Sequence, residues 1–207
     1  MNEEMNEPIN EEMNLGEGVS PYSPPDAYHP PKMDDDVPYE EMHPFIRTLR
    51  DEHQAFTDKL TEFEETLAMM ENGQVDRKID KRLQDFFEYF DEEIRVHNLK
   101  EEEKFFPLIS KMMNEEGDHS KGSEEFNAID ILEDEHSKFI QMAAVVFNFF
   151  ALFSRIPDER SRIIVLDAAI SEARALIELL KVHIFREDTI IFTYAHRNFS
   201  DEDYALL

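Results

Sequence analysis

The sequence predicts an all-α protein, an up-down-up-down antiparallel four-helix bundle with a disordered acidic N-terminal tail and a short C-terminal helix. Two observations carry this reading. From about residue 40 onward, apolar residues recur at alternating steps of three and four, the period of a helix with one buried face. In that region glycine occurs only at Gly73, Gly117 and Gly122, and the breaks "ENGQVD", "NEEGDHSKGS" and "SRIPDER" divide it into four long stretches. Nothing in the pattern favours strands.

Residues 1–39 hold ten acidic residues against one lysine and seven of the ten prolines, with few aliphatic residues. Such a composition does not offset its ordering entropy, so this segment is expected to be a disordered tail ahead of a domain over residues 40–207. The first helix follows with the stripe Ile46, Leu49, His53, Phe56, Leu60, Phe63, Leu67 and Met70. The second runs through Ile79, Leu83, Phe86, Phe90, Ile94, His97, Glu101, Phe105 and Leu108. The third carries Phe126, Ile129, Leu132, His136, Phe139 or Ile140, Ala143, Phe147 and Phe150, and its run "MAAVVFNFFALF" is too short to span a bilayer. The fourth carries Ile170, Ala173, Ile177, Leu180, His183 or Ile184, Glu187 and Ile191. "SDEDYALL" closes the chain as a short helix with Ser200 as N-cap and Asp203 at the third position.

Composition narrows the chemistry. The formal net charge of −27 repels nucleic acid and anionic membranes, so neither is an expected partner. The absence of cysteine excludes disulfides, thiolate metal sites and cysteine nucleophiles. The polar, acidic N-terminus shows no secretory pattern, so the expected location is cytoplasmic.

Each stripe holds one histidine at a core position: His53, His97, His136 and His183. Two are followed one turn later by a glutamate, as His97/Glu101 and His183/Glu187. Buried ionisable groups are costly without partners, and groups at i and i+4 point the same way. Helical rise places His53, His97 and His136 at nearly one level, with His183 deeper by about one to two turns unless the fourth helix starts late, and the four levels agree well enough for one site. Four imidazoles and two carboxylates suit a pair of ions such as iron, zinc or manganese. The remaining candidates read as structural. His43 is a helix-start residue, His29, His119 and His196 are solvated, and Glu92, Glu93, Glu102 and Glu103 form a solvated face, with Glu93 a candidate support for His97.

The segments "HPFIRTLRDEHQAF", "HNLKEEEKFFPLI", "LEDEHSKF" and "HIFREDTIIF" resemble the hemerythrin-like family, also called the HHE cation-binding domain, over roughly residues 41–207. The resemblance implies a non-haem centre of two iron ions, with His53, His97, His136 and His183 as terminal ligands and Glu101 and Glu187 as bridges. It further implies a small ligand, O2, NO or a peroxide, bound for storage, sensing or detoxification. Di-iron peroxidase, oxidase or NO reductase activity, iron–sulfur cluster repair, and a metal-responsive interaction module are the alternatives. The oxygen-carrying members have a histidine where this chain has Leu132. The cluster-repair members carry an N-terminal cysteine-containing region, and this chain has no cysteine.

Overall fold

Helix starts in this protein fall where a side chain can accept the free N–H groups of a first turn. In the computed structural model, which describes residues 37–116 and 127–207, helix α1 (Pro44–Glu71) begins with the Nδ1 of His43 accepting from the Phe45 N–H at 3.2 Å. Asp76 accepts from Lys78 and Ile79 to start α2 (Arg77–Tyr89). Asn127 and Asp130 cap each other's backbone at the start of α5 (Ala128–Phe153), and Asp158 caps α6 (Glu159–Arg186). Ser200 and Asp203 form the predicted reciprocal cap of α8 (Asp201–Tyr204). Residues 1–36, with His29, and residues 117–126, with His119 and Phe126, lie outside the described residues.

Three π-helical turns join the shorter helices into rods. Phe90–Ile94 and Glu101–Phe105 link α2, α3 (Arg95–Lys100) and α4 (Phe106–Glu116), while Glu187–Ile191 links α6 to α7 (Phe192–Asn198). The described residues therefore form four helical rods and no strand. Polar pairs tie the first rod to the second through Glu52–Lys100 and Glu65–Arg82, and to the fourth through Glu64–Lys181 and Glu71–Arg174. In both sets, rising numbers on one rod meet falling numbers on the other.

All eight residues expected on the first stripe are buried. On the second, the expectation holds through Phe105 and then fails: Leu108 is half-buried, and Phe106, Ile109 and Met113 take inner positions. The π turn adds one residue there, which slips the buried face by one position. On the third, Phe139 is inside and Ile140 outside. Phe147 is 54% exposed, set edge-on to Phe87, because Val146 continues the 139–143–150 face. On the fourth, His183 faces inward and Ile184 is half-buried. By length and composition α5 is long and apolar enough to cross a membrane, yet it packs along α6 and α4 and buries Glu135 and His136.

The apolar core falls into two clusters. One gathers Phe56, Phe63, Phe86, Phe139 and Ile177 with their neighbours, and the other Ile46, Phe105, Phe106, Leu132 and Phe192 with theirs. Val37 and Met42, ahead of the first long helix, belong to the second cluster. On every rod the histidine lies at the boundary: His53 between Leu49 and Phe56, His97 between Ile94 and Phe105, His136 between Leu132 and Phe139, His183 between Leu180 and Ile191.

Candidate metal centre

The six residues singled out in the sequence converge in the layer between the two clusters. His53 Nε2 lies 3.0 Å from His97 Nε2, and His136 Nε2 lies 3.0 Å from His183 Nε2. Glu101 and Glu187 are fully buried between these pairs. His183 is therefore level with His136, where the helical rise had placed it deeper. The first two turns of α6 explain the difference. They bury nothing, with Ile163 and Ile164 at least 60% exposed, and the first inward residue is Ala169.

The carboxylates reach both histidine pairs. Glu187 approaches His53 at 3.2 Å and His183 at 3.1 Å; Glu101 approaches His97 at 3.4 Å and His136 at 3.7 Å. Close as these contacts are, none of the four carboxylate oxygens makes a hydrogen bond with a described residue. Two groups of donor atoms result, each spanning no more than 4.8 Å: His53, His97, Glu101 and Glu187, and then His136, His183, Glu101 and Glu187.

The outer nitrogen of every histidine meets a carboxylate. His53 Nδ1 bonds Asp188 at 2.8 Å, His97 bonds Glu52 at 2.6 Å, His136 bonds Glu102 at 2.8 Å, and His183 bonds Glu135 at 3.0 Å. Lys100 holds Glu52, and Arg186 holds Glu135. The expectation of a solvated Glu102 is corrected here, since it fixes the ring of His136. Glu93 is exposed, and Glu52 is the carboxylate on His97. His43 caps α1 and stacks on Tyr204, away from the layer, and His196 is half-buried on α7.

These outer carboxylates have a sequence signal. Glu52-His53 recurs as Glu135-His136, and "HNLKEE" at 97–102 recurs as "HIFRED" at 183–188. The structure realises the repeat as a local two-fold relation. Phe56 meets His97 edge-on at 4.9 Å, and Phe139 meets His183 edge-on at 4.8 Å. Phe192 stacks on His53 at 5.3 Å, and Phe106 on His136 at 5.5 Å. Each hairpin also lends the other a carboxylate, Glu102 to His136 and Asp188 to His53.

Electrostatics follow from this packing. Burial disfavours the charged form of His53, but Asp188 and Glu187 outweigh it and lift the ring to about 10. His97 and His183 are likewise raised against burial to about 9, by Glu101 and Glu52 and by Glu187 and Glu135. His136 is lowered by burial and by the charge of His183. Burial opposes the ionised form of Glu187, and His183 and His53 overcome it, holding its carboxyl well below the usual range. In the metal-free chain, protons on imidazole therefore compensate the Glu187 carboxylate.

Such a donor set, all nitrogen and carboxylate oxygen, fits metal binding. Comparison with curated proteins and with solved structures finds no match. A match exists to the family model described as the hemerythrin HHE cation binding domain, over residues 44–195, a span that contains all six residues of the layer. The chain belongs to the hemerythrin HHE cation-binding domain family.

Proposed function

We propose that this protein is an antiparallel four-helix bundle holding two non-haem iron ions, one at His53 and His97 and one at His136 and His183. Glu101 and Glu187 bridge the pair. The observation that carries this reading is the two histidine pairs closing on two buried carboxylates that make no hydrogen bond with a described residue. Each histidine pair brings its two Nε2 atoms to 3.0 Å, so both nitrogens of a pair could be donated to one ion. The outer carboxylates fix each ring and raise its basicity, a usual accompaniment of metal-binding histidine.

When bound, the two ions supply open coordination positions and redox capacity toward a small ligand. The chain's own residues decide what can approach. A cavity of about 10 Å3, roughly the room of one water molecule, adjoins the layer between Phe56, Leu60, Phe139 and Leu180. It favours a ligand of two or three atoms, O2, NO or peroxide, over an organic substrate, and its apolar wall keeps bulk water away. The reading is thus a binding protein for storage, sensing or detoxification of such a ligand.

Elemental analysis of the iron-loaded chain is expected to give two ions. Glu101→Ala and Glu187→Ala should each lose metal, because removing a bridge leaves adjacent positive charges poorly compensated. Glu103→Ala, at an exposed position, should retain both. One tightly bound ion in the parent protein, or three variants with equal metal content, would overturn the dinuclear assignment.

A further inference from the structure

We propose that Asn98 orients the small ligand in the cavity beside the layer, its side-chain amide donating a hydrogen bond to an acceptor atom of that ligand. This rests on the dinuclear reading above and adds a residue that the His/Glu pattern does not contain. Asn98 is 8% exposed and lines the cavity together with His53, His97, His183 and Glu187. The other cavity walls are aliphatic or phenyl, so among the described residues Asn98 is the one side chain there, outside the layer, that can donate a hydrogen bond. Its amide makes no side-chain hydrogen bond to any described residue, whereas the buried side chains of Thr66, Asn127 and Glu135 each do and that of Thr193 does not.

The local two-fold relation supplies an independent argument. Position 98 follows His97 as position 184 follows His183, and both line the cavity. In the second hairpin the residue is Ile184, which packs there without any polar demand. The first hairpin departs from its counterpart on the same helix in a second way. The π turn Phe90–Ile94 ends four residues before Asn98, whereas α6 runs without interruption from Glu159 to Arg186. The cavity therefore has a polar side toward His97 and an apolar side toward His183. A ligand with an exposed lone pair is bound in one orientation, with its acceptor atom toward Asn98.

The test uses the full-length, iron-loaded protein with azide as probe, followed by its charge-transfer absorption and by the infrared asymmetric stretch of the bound anion. Asn98→Leu is expected to keep two iron ions and a near-parental melting temperature. Azide affinity should fall about 3- to 10-fold, the value of one hydrogen bond, and the stretch should shift. The exchanged variant, Asn98→Ile with Ile184→Asn, retains the cavity's composition and should recover affinity with a different stretch. Unchanged affinity and stretch in Asn98→Leu would overturn the role of Asn98 while leaving the dinuclear reading intact. Absence of azide binding by the parental protein with two irons would overturn the role of Asn98 and the small-ligand reading, while the two irons would leave the dinuclear assignment standing. If Asn98→Leu loses iron, the exchanged variant decides, and iron loss in both would make Asn98 a structural residue.

Discussion

Glu135 and Glu102 perform the same task on different histidines, but their surroundings set different costs for losing it. Glu135 is 7% exposed and also pairs with Arg186, whereas Glu102 is 36% exposed. Glu135→Gln should weaken metal binding about 10- to 100-fold in chelator competition, and Glu102→Gln should do so clearly less. Equal losses would show that burial and the arginine contribute nothing. The raised histidines give a second expectation at this scale. His53, His97 and His183 have folded-state values of about 10, 9 and 9, above the ordinary value near 6.5. Protonation thus stabilises the metal-free fold fully below about pH 6.5. That contribution is lost as pH rises through 9 to 10, because the folded state must then give up protons it holds more tightly than the unfolded chain. Metal has the opposite dependence, since the same nitrogens must be deprotonated to bind it. Melting curves from pH 6 to 10 should show the metal-free protein losing stability and the iron-loaded protein widening its advantage. Parallel curves would contradict the ion-pair account of the metal-free protein.

Among the elements, the π turns at Glu101–Phe105 and Glu187–Ile191 each begin at a layer carboxylate. A π turn holds one residue more than an α turn, so removing one residue there restores regular pitch without rotating the flanking helices. Deleting Glu103 should leave helicity and most thermal stability in place while lowering metal content, because the aim of Glu101 changes. Circular dichroism and elemental analysis on the same sample test this; retained stoichiometry would make the turn irrelevant to the layer. These turns also mark where sequence reading stopped. The first stripe was legible in full because α1 has uninterrupted periodicity, and the six layer residues were legible because buried histidines at helical spacing are conspicuous. The slip from Leu108 to Ile109 was not, since a 3.6-residue period cannot announce an inserted residue. Glu52, Glu102 and Glu135 were missed because a charged residue beside an apolar stripe looks solvated. Only its partner on a neighbouring helix shows otherwise. The level of His183 stayed conditional on a late start of the fourth helix, because the overhang of α6 depends on packing, which periodicity does not report.

For the molecule as a whole, Val37 and Met42 at the start of the described chain are buried in the second apolar cluster, so the packed unit begins earlier than the first long helix. Deleting residues 1–36 should leave melting temperature and metal content unchanged. Deleting residues 1–42 should cost about 3 kcal/mol of apolar burial, seen as a fall of several degrees in melting temperature. An equal fall for both truncations would place stabilising contacts within residues 1–36. The division of the core bears as well on how the chain assembles. The first cluster draws on the segments flanking the 71–77 and 153–159 connections, which are near neighbours along the chain within each hairpin. The second joins residues from 37 to 49 with residues from 191 to 199, the widest separation the described chain offers. Loop-closure entropy favours the short-range end, so it closes early and the end that brings the termini together closes late. The histidines lie at the front between these two events. Until that late end closes, the four rings and two carboxylates are not yet held together, so the layer is finished by the same step that joins the ends of the packed unit.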